Sequence, residues 1–294
     1  MRAWRGSDAA AQNRTIVLFY MIAAARLHGV NTAIASTPCI GVFDSGVGGL
    51  SVLDALRRRL PHAPLVYVGD VAYAPYGERH PGQVVDRCQH IVERLALLGA
   101  RVIVVACNTA TVLGIAAMRQ RWPALRFVGV EPGVKPAVAV TRTKRIAVMA
   151  TPATAASARL RHLIEAFASG VHVHVQPCPG LAATIERGVH SGPELTAVLA
   201  PLCDSIRAAQ VDTVVLGCTH YPFVADAIRA QLGNEIRLID TAVPVAERVA
   251  VVRGHPDAGP ASVRVLSTGA MGAMSSLVQR CSTLRGVCVE HLPI

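Results

Sequence analysis

The sequence predicts an α/β protein built on parallel sheet, and three observations predict it. From residue 40 onward, short runs rich in Val, Ile and Leu alternate with segments of amphipathic helical periodicity. The 294 residues are 52% hydrophobic, 4% aromatic and 16% charged, the composition of a chain that buries a core rather than of a disordered or disulfide-stapled one. Residues 101–109 and 212–220 read alike as a buried strand, then a cysteine, then hydroxyl and polar residues, which points to an internal duplication and two related lobes.

In chain order the predicted strands are 40–43, 65–68, 102–106, 127–130, 146–150, 171–176, 213–216 and 236–239. They are nearly continuous apolar runs, the pattern of strands covered on both faces, and helical stretches long enough for crossovers separate them. Several stop at a glycine or polar residue, and ligands of open α/β sheets collect at such strand ends. The segments 42–45 and 148–151 precede the two cysteine strands at similar separations and extend the duplication. Two facing lobes would put Cys107 and Cys218 on opposite sides of a shared cleft.

Residues 1–39 are expected to be a leader, disordered or upstream of the true start, with Met21 an alternative initiator. The apolar run 15–25 follows Arg2, Arg5 and Arg14 like a signal peptide. It falls short of the roughly 20 residues of a membrane span, and the region before it is long, polar and carries Asp8. No other stretch is long and apolar enough to cross a membrane, so no membrane partner is expected.

The formal net charge is +10, and Lys135 and Lys144 are the only lysines. The arginines are dispersed, as at Arg57 to Arg59, Arg119, Arg121, Arg159 and Arg161, instead of forming a tract interleaved with aromatics. That is a solvated basic surface, and no nucleic-acid partner is required by it. Eight cysteines, at 39, 88, 107, 178, 203, 218, 281 and 288, show neither a Cys-x-x-Cys pair nor zinc spacing. They are expected to be thiols in a reducing cytoplasm, with no metal.

The segment Asp44-Ser45-Gly46-Val47-Gly48-Gly49-Leu50 leaves a strand and opens a helix, so its backbone N–H groups are expected to cradle a carboxylate or phosphate. A dinucleotide fingerprint is the rival, with Asp70 at the end of the next strand, but Ser51 stands where its third glycine belongs. Pro75, Tyr76, Gly77 and Glu78 form a loop in which Tyr76 could cover a ligand.

Cys107 with Asn108 and Thr109, and Cys218 with Thr219 and His220, carry the chemistry. One cysteine in a strand is ordinarily an inert small hydrophobe. A cysteine where a strand gives way to a helix N-terminus is different, because nearby N–H groups stabilise its thiolate. Two such positions in one chain favour a paired thiol function. His220 either assists proton transfer or satisfies local hydrogen bonds, and the sequence leaves both open. With Cys218 it makes two potential metal ligands, too few for a metal site.

In this order, Gly41 to Leu50, Gly69-Asp70 with Pro75-Tyr76-Gly77, Val105 to Ala110, and Gly217-Cys218-Thr219-His220-Tyr221-Pro222 resemble the glutamate racemases, from about residue 40 to about 249. The resemblance implies two pseudo-symmetric α/β lobes, one of residues 40–132 plus 241–294 and the other of 133–240, with the active site in the cleft between them. It implies a cofactor-independent isomerase that interconverts L- and D-glutamate for peptidoglycan synthesis. Cys107 would deprotonate D-glutamate with Asp44 assisting, and Cys218 would deprotonate L-glutamate with His220 and Glu186. Ser45, Pro75, Tyr76, Gly77, Asn108, Thr109 and Thr219 would hold the substrate, and the protein would be a homodimer. The segment after Cys178-Pro179 carries Glu186 but departs from the family at Ala182 to Thr184, as Arg159-Leu160 does after Ser157. No lysine is placed for a Schiff base, so no pyridoxal cofactor is expected. Aspartate racemase and a non-catalytic bilobal amino-acid-binding protein are the alternatives.

Overall fold

The computed structural model describes residues 38–254 and 261–294; most of the expected leader, residues 1–37, lies outside the described residues. All the described strands pair in parallel, as the continuous apolar runs require. Strands β1 (Cys39–Asp44), β2 (Leu65–Gly69), β3 (Ala100–Val105), β4 (Arg126–Gly129), β9 (Val263–Ser267) and β10 (Val289–His291) form one sheet in the order β10-β9-β2-β1-β3-β4. Strands β5 (Arg145–Ala150), β6 (His172–Pro177), β7 (Thr213–Leu216) and β8 (Arg237–Ile239) form the second, in the order β6-β5-β7-β8. The fold is α/β, as the sequence predicts. All eight predicted strands form within a residue or two of their expected bounds, and β9 and β10 are additional.

The duplication is visible as topology. The run β2-β1-β3-β4 has the same order as β6-β5-β7-β8 when each strand is matched to the one four places later. The equivalence extends to single bonds just past the strand ends. Ala106 N–H donates to the Phe43 carbonyl and Gly217 N–H to that of Met149, both at 2.8 Å. Asp70 N–H donates to Asp44 O at 3.0 Å, and Cys178 N–H to Ala150 O at 2.8 Å. Cys107 and Cys218 therefore occupy matching positions, each one residue beyond such a bond.

Period-two side-chain alternation divides the central strands between two buried layers. Val42 and Val104 face one layer of the larger sheet, with Leu53 and Leu56 of α1 (Leu50–Arg59). Phe43 and Val105 face the other, with Ile91 and Leu95 of α2 (Pro81–Leu97). In the smaller sheet Met149 and Val148 divide in the same way. Among the described residues no helix is long and apolar enough to cross a membrane.

Two helix starts matter for the site. Cys107 is the N-cap of α3 (Asn108–Arg121), its sulfur accepting from Ala110 N–H at 3.4 Å, which is the expected strand-to-helix position. Cys218 differs from expectation: Pro222 lies in a 3-10 turn, Tyr221–Val224, before an α-helix begins at Ala225. No α-helix therefore begins directly after Cys218, where one begins directly after Cys107.

Candidate active site

The ends of the strands meet in one pocket between the two sheets. Ser45, Pro75, Tyr76, Gly77, Cys107, Asn108 and Thr109 line it from the larger sheet's side, and Cys218, Thr219 and His220 from the smaller's. Glu78, Thr151, Pro152, Cys178, Gly180 and Ala182 complete the wall and are absent from the sequence-based site. Thr151 had a signal: in the duplication it stands where Ser45 does. Asp44 and Glu186 lie behind the wall, where they bond the residues that form it.

Each cysteine begins a short relay that ends in a carboxylate. The Cys107 thiol donates to Ser45 Oγ at 3.7 Å, and Ser45 Oγ donates to Asp44 Oδ1 at 3.2 Å. On the other side Cys218 Sγ lies 3.7 Å from His220 Nδ1, and His220 Nε2 lies 2.6 Å from Glu186 Oε2. The relays have the same length and different chemistry, a hydroxyl on one side and an imidazole on the other.

The electrostatics follow from burial and these contacts. Burial first, then the Asp44 carboxylate, pushes Cys107 up to about 12, against the lowering effect of Ala110 N–H; it rests as a thiol at neutral pH. Burial also raises Asp44, opposed by His220 and by bonds from Thr219 and Gly46. Burial alone would lower His220, but its contacts with Cys218 and Glu186 outweigh that and hold the imidazole well above its ordinary value. A cationic imidazole donates from both nitrogens, one toward a sulfur and one toward Glu186.

The glycine-rich segment is an anion cradle, but its anions belong to the protein, which corrects the expectation of a ligand there. Val47 N–H donates to Glu186 Oε2 at 3.0 Å, and Gly46 N–H to Asp44 Oδ1 at 2.9 Å. A Cβ on Gly46 would lie 2.2 Å from Glu186 Oε2, so the missing side chain makes room for that carboxylate and leaves none for a dinucleotide phosphate.

Direct bonds join the halves across the cleft. Thr219 Oγ1 donates to Asp44 Oδ2 at 2.8 Å, and the hydroxyls of Thr109 and Thr151 are 3.0 Å apart. Ser51 Oγ reaches Thr219 O at 3.3 Å, and Gly180 N–H reaches Glu78 Oε1 at 3.4 Å. Asn108 makes no such bond, and both ends of its buried amide lack a partner. A buried amide with a free donor and a free acceptor in a pocket wall fits a ligand that carries both ammonium and carboxylate.

Asp70 fixes the loop that brings Pro75 to Gly77 into the wall. Its fully buried carboxylate accepts from Tyr76 Oη (2.6 Å), Thr268 Oγ1 (2.7 Å), and Arg87 Nε and Nη2 (both 2.8 Å). Asp70→Asn replaces an acceptor oxygen with a donor among four donors. It is expected to lower stability by about 3 kcal/mol, the scale for breaking a buried charge pair. Urea unfolding at an unchanged m-value checks this, and a midpoint equal to wild type would refute it.

Comparison with known proteins follows the same lines. The family model for Asp/Glu/hydantoin racemases matches residues 33–249. A glutamate racemase of Pseudomonas aeruginosa is 46% identical over 235 residues, covering 79% of this chain and 89% of its own length. Among solved structures, glutamate racemase isoform RacE1 of Bacillus anthracis superposes with a TM-score of 0.78 at 29% identity, covering 87% of this chain and 98% of that one. The glutamate racemase of Escherichia coli, in complex with L-glutamate and an activator, gives a TM-score of 0.78 at 28% identity, with coverage of 88% and 99%.

Proposed function

The chain belongs to the Asp/Glu/hydantoin racemase family and is an isomerase that interconverts L- and D-glutamate, and from that premise we propose that Cys107 and Cys218 are its two proton-transfer groups. The observation that carries the assignment is the placement of two buried thiols at matching strand ends on opposite sides of one pocket. Inversion at Cα needs a base on one face and an acid on the other, because a proton removed and returned on the same side regenerates the same enantiomer. Cys107 takes the Cα proton of D-glutamate and Cys218 that of L-glutamate, and the opposite thiol supplies a proton to the other face.

Asp44, through Ser45, serves the first thiol, and His220 with Glu186 serves the second. Asn108, Thr109, Thr219 and Ser45 hold the ammonium and carboxylates, and Pro75, Tyr76 and Gly77 close over them. The Cα carbanion gains stability from fixed dipoles in a site that excludes water, so closure of the two lobes is part of the chemistry. The enzyme works in the cytoplasm as a homodimer, and its D-glutamate enters peptidoglycan.

The test is racemisation of L-glutamate in D₂O without added cofactor, followed by proton NMR and chiral separation at early times. Two opposed thiols put solvent deuterium into the D-glutamate formed while the remaining L-glutamate keeps its Cα proton. Deuterium entering both pools at equal rates, or product that retains the substrate's own proton, would point to a single base and sink the assignment.

A further inference from the structure

The chain passes from the larger sheet's half to the smaller's through a very short linker. Val130 still belongs to the first: its N–H donates to the Val105 carbonyl at 3.1 Å, and its side chain is buried with Val42 and Val104. Val134, at the start of α4 (Val134–Val140), is already buried with Ile146 and Val148 of β5. The linker is therefore Glu131-Pro132-Gly133. The chain returns through Asp240 and Thr241, between Ile239 of β8 and Ala242, which is buried in the larger half. The two linkers touch, because a Cβ on Gly133 would lie 3.1 Å from Ile239 Cγ2 and 3.2 Å from Thr241 Cγ2. Two short linkers side by side make a hinge, since few dihedrals there decide the angle between the halves.

Glu131 is pinned across this hinge. Helix α5 (Ala158–Phe167) follows β5 and buries Leu160 and Leu163 in the smaller half, with Val134 and Ala137 of α4. From its first turn Arg159 donates through Nε to Glu131 Oε1 at 2.8 Å, and through Nη2 to the same oxygen. Both residues lie beyond the C-terminal ends of their strands, the edge on which the pocket forms. Arg159 stands where the sequence departs from the family it resembles, and the structure gives that departure a partner. Other ion pairs of the smaller half, Arg187 with Glu194, Arg207 with Asp204 and Arg229 with Asp226, stay within it.

We propose that Arg159 is a positioning residue: through its ion pair with Glu131 it braces the hinge with the cleft closed, and the brace breaks when the cleft opens to exchange substrate and product. The proposal goes beyond the catalytic assignment, because it needs the two pocket thiols to be shielded by the closed cleft and not that they transfer protons. With side chains 48% and 36% exposed, the pair is of the weak, salt-screened kind. Weakness suits a contact that has to break and re-form in each turnover.

The experiment times the alkylation of Cys107 and Cys218 in the full-length protein by N-ethylmaleimide, peptide by peptide, with mass spectrometry. Wild type is compared with Glu131→Gln, with Arg159→Gln, and with the exchanged pair Glu131→Arg plus Arg159→Glu. Both thiols are buried, so the reagent reaches them as the cleft opens. Each single variant should alkylate both about threefold faster, the scale of one exposed ion pair. The exchanged pair should return both rates close to those of wild type. Raising the salt from about 0.01 M to about 1 M should speed wild type by a similar factor and leave the single variants as they are. Cys203, fully buried in the core of the smaller half, reports unfolding and should keep its rate in every protein.

Unchanged alkylation of the two pocket thiols in the single variants overturns the proposal. So does an exchanged pair as fast as the single variants, which would mean that the two charges act separately. A rise shared by Cys203 would assign the pair to folding stability and overturn it as well. The pH midpoint of each thiol should stay, because a brace changes access and not ionisation; a midpoint that moves with the rate would make the effect one of charge on the thiol, and the brace would fall. Racemisation kept or lost in Cys107→Ser and Cys218→Ser bears on the catalytic assignment alone, so the two failures are distinguishable.

Discussion

Cys107→Ser and Cys218→Ser should each lose racemisation by about 10³-fold or more, and should lose it in both directions. A serine hydroxyl holds its proton far more tightly than a thiol, so one side of the Cα is left without a usable acid or base. The two variants should nevertheless differ. Cys218→Ser keeps Cys107, and in D₂O it should exchange the Cα proton of D-glutamate without inverting it, while leaving L-glutamate untouched. Cys107→Ser should do the reverse. Cys107 sits at about 12 when the site is empty, so its free thiolate is scarce at neutral pH and grows as pH rises. Exchange of D-glutamate by Cys218→Ser should accordingly climb with pH through the range from neutral to alkaline. Proton NMR of each enantiomer with each variant checks all of this. Full racemisation by either variant, or exchange of both enantiomers by one of them, would overturn the assignment of one thiol to each face.

Much of the frame was legible because parallel strands covered on both faces must be apolar along their length, and eight such runs stood out. The two strands that sequence reading passed over lack that signature. β9 carries Arg264 among its apolar residues, and β10 has three residues, Val289, Glu290 and His291, at an exposed edge. Their order in the sheet, beside β2, is a property of long-range packing that no local period encodes.

At the site, the cysteines and their neighbours were legible because the same strand-cysteine-polar unit occurs twice. Thr151 was within reach by the same logic, since the duplication matches it to Ser45. The part played by the glycines was not. Gly46 to Gly49 read as a cradle for a ligand, whereas the anions they accommodate are Asp44 and Glu186, the latter 139 residues away from Val47 in sequence. Nor could spacing show that Cys218 lacks the helix N-terminus given to Cys107, because Pro222 is compatible with the first turn of a helix as well as with the 3-10 turn that forms.

The glycines supply the second large effect, and Gly48→Ala isolates it. A Cβ at this position would lie 2.4 Å from His220 Nδ1 and 2.6 Å from Thr219 Oγ1, both on the opposite side of the cleft. The carbon would press on the imidazole nitrogen that sits 3.7 Å from the Cys218 sulfur and on the hydroxyl that donates to Asp44. Overlaps of this depth cost about 1–3 kcal/mol where packing cannot relax. Here it can relax by holding the lobes apart, because neither partner belongs to the sheet that carries Gly48. The strain should therefore appear in the closed state more than in the folding equilibrium. Gly48→Ala should lower kcat/KM by roughly one to two orders of magnitude with only a small fall in Tm. The companion variant Gly46→Ala meets the flexible end of Glu186 rather than a ring, and should cost less activity. Steady-state kinetics with a thermal melt on the same samples decides the matter. A Gly48→Ala protein with wild-type kcat/KM would show that the lobes do not close to this spacing in the reactive state. A large loss of Tm with little change in kcat/KM would show that the clash falls within the fold instead of between its halves.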